Sequence, residues 1–95
     1  MTSREFIIDA KKFDRRVLTE IQHKLRTLLK CYTISGFTMV NNRKFKFKKS
    51  YLIRGVRLDD SKEYEGFYDI EDIGNGKYKL LLTVSGVVQE QNNNG

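Results

Sequence analysis

A chain of 95 residues, 39% hydrophobic and 32% charged with both signs present, suffices for one modest core and is too apolar for wholesale disorder. Its single cysteine, Cys31, excludes an internal disulfide and, with no secretory leader evident in the first residues, predicts a reducing, cytoplasmic setting. The longest apolar-rich run, Leu80 to Val88, is far short of the ~20 residues that span a bilayer, so no membrane partner is expected.

The net charge of +6 is unevenly placed. Residues 1–58 carry fifteen Lys and Arg against four carboxylates, a net +11, and residues 59–95 carry three against eight, a net −5. If the two halves occupy different surfaces, the molecule is strongly dipolar.

In chain order, Arg4 to Ile8 ends in apolar β-branched residues and reads as a short strand. Asp9 then stands where an N-cap is needed, and the spacing predicts a helix from Ala10 to about Lys30. Phe13, Val17, Leu18, Ile21, Leu25, Leu28 and Leu29 gather on one face at helical phase. Lys12, Arg16, His23, Arg26 and Lys30 fall nearly opposite, giving the helix a basic back. That back is either a solvated face or a surface for an anionic partner. Cys31, at the helix end, has no base positioned to activate it and reads as a small core residue.

Tyr32 to Val40 is a second strand, and Asn41-Asn42 a two-residue turn, since asparagine tolerates positive φ. The stretch that follows is the most informative in the chain. Asn41 to Arg57 holds Arg43, Lys44, Lys46, Lys48, Lys49, Arg54 and Arg57. Strand alternation puts Lys44, Lys46 and Lys48 on one face and Phe45 and Phe47 on the other, a lysine comb backed by an apolar anchor. With Val40 opposite Arg43, Phe37 falls among the exposed lysines; a bulge that flips part of the pairing is the alternative. Tyr51 to Leu58 reads as a further strand with a bend or bulge at Gly55. The fragment Ile53-Arg54-Gly55, in a helix-then-strands order, resembles the second motif of the Sm-type small β-barrels. Forty residues follow it where that family has a single closing strand, and the acidic-Asn signature of the first motif is missing, so no site or function is carried over.

Asp59 to Gly66 reads as a polar loop, and Phe67–Ile73, Gly74-Asn75-Gly76 and Lys77–Ser85 as a hairpin. On the hairpin's second strand Tyr78, Leu80, Leu82 and Val84 share one face and are expected in the core. Gln89 to Gly95 reads as a disordered polar tail beyond a single domain of residues 1–88.

The expected fold is α+β: one long N-terminal amphipathic helix packed on a curved, mainly antiparallel sheet of four to five strands, or alternatively a partly closed small β-barrel with an N-terminal helix. One His and one Cys cannot furnish a catalytic triad or a tetrahedral metal set. Asp59, Asp60, Glu63, Glu65, Asp69, Glu71 and Asp72 lack the spacing of a calcium loop. No enzyme activity, metal or cofactor is therefore expected. The chain reads as a non-enzymatic binding protein whose partner is nucleic acid, DNA or RNA. The alternative is a protein-interaction module, a small inhibitor or adaptor (phage-encoded ones included) that docks on an acidic protein surface. The candidate binding residues are Arg43, Lys44, Lys46, Lys48, Lys49, Phe37, Arg54 and Arg57, with Lys12, Arg16, Arg26 and Lys30 on the helix.

Overall fold

The computed structural model describes residues 1–88. Its elements are β1 (Thr2–Asp9), α1 (Arg15–Leu29), β2 (Thr33–Met39), β3 (Lys44–Ile53), β4 (Val56–Asp59), β5 (Tyr64–Gly74) and β6 (Lys77–Val87). The strands form one antiparallel sheet in the order β1-β6-β5-β3-β2, with β4 paired to the far end of β3. The described residues form a slab of 50 × 41 × 22 Å, with α1 on one face of the sheet and no element among them on the other.

The expectation of a fold built on one long N-terminal helix is overturned. Strands dominate the described residues, whereas the only helix among them has fifteen residues and follows a strand. Among the described residues the sheet has six strands rather than four or five; β1 and β2 end the pairing path without meeting, β4 leaves a further edge, and no barrel closes. The helix starts late because Asp9 is already engaged. It stands in β1 opposite Lys77, and its carboxylate accepts from the Lys77 ammonium at 2.7 Å. Asp14 caps the helix instead, its carboxylate accepting from the Arg16 amide at 2.9 Å. Lys30 ends it in the left-handed conformation, φ 53°.

Val17, Ile21 and Leu25 are the buried face of α1, three and four residues apart. They pack on Ile8 of β1, Phe45 and Phe47 of β3, Tyr68 of β5 and Leu80, Leu82 and Val84 of β6. An aromatic chain runs through this layer. Phe13 stacks on Tyr68 (centroids 6.2 Å apart), Tyr68 on Phe45 (6.5 Å) and Phe47 on Tyr64 (5.8 Å), while Phe45 meets Phe47 at a tilt of 43° (5.9 Å). Gly66 makes this layer possible, because a Cβ there would collide with the Thr83 carbonyl and come within 2.9 Å of the Phe45 ring.

Three local expectations are corrected. The β2–β3 connection is a four-residue loop, not a two-residue turn: Met39 pairs with Phe45, and the Asn41 side chain accepts from the amides of Arg43 and Lys44. A bulge between Ser35 and Thr38, with Gly36 at φ 60°, absorbs the extra residue. Gly55 does not bend a strand. With Arg54 it forms a two-residue turn, both residues at positive φ, that splits the predicted third strand into the end of β3 and all of β4. Tyr64 to Gly66, expected in a loop, open β5 because they pair with β3 and β6. The predicted tail, Gln89 to Gly95, lies outside the described residues.

Candidate nucleic-acid interface

The uncovered face of the sheet carries the even-numbered side chains at the start of β3. Lys44 and Lys48 are exposed and Lys46 is half-buried, while Phe45 and Phe47 are fully buried beneath α1. Alternate residues of a strand are about 6.6 Å apart, so the three ammonium groups line a column along β3. Among the described residues none of them is in an ion pair.

Their neighbours across the strands explain why. On this same face lie Glu65, Phe67, Asp69 and Glu71 of β5, Lys77 and Lys79 of β6, and Glu5 and Asp9 of β1. Asp69 accepts from Arg43 at 2.7 Å, Asp9 from Lys77 at 2.7 Å, and Lys79 sits 3.9 Å from both Glu5 and Glu71. Glu65, Asp69 and Glu71 of the C-terminal half thus share a face with the lysines of the N-terminal half, so the condition for a strong dipole, halves on different surfaces, is not met there. Asp69 and Glu71 are paired with other cations, and the column on β3 keeps its charge. Glu65, opposite Lys46, is the one acid in register with it.

The remaining candidates are scattered. Arg54 is exposed at the tip of the β3–β4 hairpin; Arg57, on β4, is bound to Asp59 at 2.9 Å. Lys12 and Arg16 flank the start of α1, where Arg16 also pairs with Asp14 at 3.3 Å. That backbone contact and the Arg16 charge hold the Asp14 carboxyl below its usual range. Arg26 and Lys30 lie at the opposite end of α1. There Gln22, His23, Arg26, Tyr32, Thr33 and Ile34 line a shallow hollow between helix and β2. All four helix-side cations belong to the layer on the covered face of the sheet, and they do not join the comb.

Two predicted residues are elsewhere than expected. Phe37 is turned by the Gly36 bulge toward the core, where it stacks on Phe45 with centroids 5.2 Å apart, instead of standing among the lysines. Lys49 is not part of the comb. As the next odd residue after Phe45 and Phe47 it points to the helix side and is nearly buried. Its ammonium group lies 4.3 Å from the Tyr51 ring centre and 4.6 Å from that of Tyr64, donates to the Tyr51 hydroxyl, and stands 3.4 Å from the Asp60 carboxylate. Burial pulls its pKa down, but the two tyrosine hydroxyls outweigh that and raise it above the ordinary lysine value. The Tyr64 hydroxyl donates to Asp60 at 2.6 Å, which lowers the Asp60 pKa and raises that of Tyr64.

Sequence reasoning missed Phe67. It is half-buried on the open face, directly opposite Lys44, and it makes no ring contact with the aromatic chain below. Val40, Asn41, Lys44, Lys46, Glu65 and Phe67 border a shallow cavity of about 320 Å³ there. The signal was the alternation of β5: Gly66, Tyr68 and Ile70 face the helix, so Phe67 cannot.

Cys31 is half-buried, and burial raises its thiol pKa. Among the described residues no group of three or more His, Cys, Asp and Glu is placed to hold a metal ion, and no helix is long and apolar enough to cross a membrane. Compared with known proteins, the chain matches no family, no curated protein and no solved structure.

Proposed function

We propose that this chain is a non-enzymatic nucleic-acid-binding protein that lays a single strand along the open face of β3. One observation carries the reading: among the described residues Lys44, Lys46 and Lys48 are in no ion pair and form a column on a sheet face that no other element covers, with the Phe67 ring beside them. Their spacing is comparable to that of phosphates along an extended strand, and the aromatic ring offers a base a stacking surface. Arg54, at the hairpin tip, extends the charged track. A docking surface for an acidic protein would use the same lysines; the strand-like spacing of the column, comparable to that of phosphates, favours the nucleic acid. The single unpaired Cys31 fits a reducing, cytoplasmic setting for such a protein.

The test is affinity for single-stranded DNA and RNA across a salt series. Replacing Lys44, Lys46 and Lys48 together with glutamine is expected to weaken binding and to lower the slope of log K against log salt by about two, since each single-strand phosphate contact contributes about 0.7. Phe67→Ala is expected to cost about 1–3 kcal/mol on single strands and less on duplex. Absence of wild-type binding at ~50 mM salt, where such contacts are strong, would sink the reading.

A further inference from the structure

The hairpin formed by the end of β3 and β4 projects past the rest of the sheet, and among the described residues β4 has no strand partner except β3. An isolated two-stranded ribbon is marginal in water. This one also exposes apolar side chains on both faces: Leu52 is 51% exposed, Ile53 53%, Val56 58% and Leu58 48%. An exposed apolar patch at an unpaired strand edge is a pairing site.

The backbone defines which groups are open. Arg54 and Gly55 form the turn, so Ile53 and Val56 are the hydrogen-bonded pair that closes it. Even-numbered residues of β4 therefore turn their amides toward β3, as the Asp60 amide does in donating to the Lys49 carbonyl at 2.9 Å. Arg57 and Asp59 turn theirs outward, to the open edge.

We infer that β4 pairs antiparallel with β4 of a second copy about a two-fold axis at Leu58, joining two sheets into one. A two-fold normal to the sheet keeps each side chain on its own face, so only residues of like parity can stand opposite one another. Arg57 and Asp59 share a face. Centring on Leu58 places Arg57 opposite Asp59 of the second copy and Asp59 opposite its Arg57. The outward amides and carbonyls of these residues then close two hydrogen-bonded pairs, and the two leucines meet at the axis. Centring on Arg57 would set arginine against arginine, and centring on Asp59 aspartate against aspartate; like charges directly opposite are unfavourable. The edge strand β1 offers no such register, since Arg4 and Glu5 lie on opposite faces. On β2 the bulge at Gly36 interrupts the edge. The contact is small and belongs to the reversible class of interfaces. It leaves both lysine columns on one face of the joined sheet, but it stands whether or not nucleic acid binds there.

The test is sedimentation equilibrium of the full nuclease-treated chain, from micromolar to millimolar concentration. Wild type is expected to pass from monomer to dimer in that range. Arg57→Asp and Asp59→Arg should each raise the dimer dissociation constant about tenfold or more, because two attractive pairs become two repulsive ones. The double swap R57D/D59R should return it to near the wild-type value. Mixing the two single variants should give a heterodimer, in which the two carboxylates on the R57D edge face the two guanidinium groups on the D59R edge. Circular dichroism of each variant checks that it folds. A wild-type chain still monomeric at millimolar concentration, its β4 edge taken by residues 89–95 or kept for another protein, overturns the inference. So does a dimer that the single variants leave unchanged.

Discussion

Lys48 and Lys49 are adjacent and chemically identical, yet one offers its charge to solvent and the other is enclosed by Tyr51, Tyr64 and Asp60. Strand alternation separates them, and burial makes the difference consequential: an enclosed ammonium group without partners would carry a heavy desolvation cost. The cluster couples stability to pH. Accepting from the Tyr64 hydroxyl, and then from the Lys62 amide, Asp60 has a folded-state pKa below its unfolded one. Its contribution is present above the ordinary carboxylate value of about 4 and is lost as pH falls through the lower folded value. Lys49 and Tyr64 have raised values, so their contribution is present below their unfolded values and fades as pH climbs through the folded ones. Asp60→Asn is expected to lower the melting temperature at neutral pH and to flatten the acid limb. Melts of both proteins from pH 7 to 2 check this; parallel acid limbs would exclude a role for Asp60.

At the scale of elements, α1 is short but seals the one face of the sheet that is covered among the described residues. Val17, Ile21 and Leu25 lie on Phe45, Phe47, Leu80 and Leu82, all almost wholly buried. Leu25→Ala is expected to destabilise the fold by about 2–5 kcal/mol, the range for emptying a packed site. Urea denaturation measures it, and a loss under ~0.5 kcal/mol would show that the helix is peripheral. The apolar period of this helix was legible in the chain from Val17 onward. Its start was not, because Asp9 and Asp14 are both competent caps, and only the pairing of β1 with β6 decides between them. The same holds for β2, where local sequence cannot tell a two-residue Asn-Asn turn from the longer loop that the Gly36 bulge accommodates.

At the scale of the molecule, the sheet sorts the cations into two populations. Lys44, Lys46 and Lys48 lie on the open face, whereas Lys12, Arg16, Arg26 and Lys30 belong to the helix layer on the other side. One strand of nucleic acid on the proposed face cannot engage both. Replacing the four helix-side residues with glutamine is therefore expected to lower overall affinity modestly through net charge. The slope of log K against log salt should stay within about one of wild type. A fall as large as that caused by removing the comb would move the interface to the helix.

Alternation within β3, the helical period of α1 and the glycine-rich turn between β5 and β6 are properties of neighbouring residues, and the sequence by itself determined them. It therefore determined that Phe45, Phe47, Leu80 and Leu82 face a core and that three lysines face away from it. It also contained, unused, the parity that sends Lys49 inward and Phe67 outward. What only the tertiary structure decided is the identity of neighbours across strands. The β1–β6 pairing withheld Asp9 from the helix; Arg43, Lys77 and Lys79 neutralised acids far from them in the chain; the bulge at Gly36 turned Phe37 into the core. Each outcome depends on which strand lies beside which, and that order is fixed by the burial of one face of the whole sheet, a sum over contacts that no local window contains.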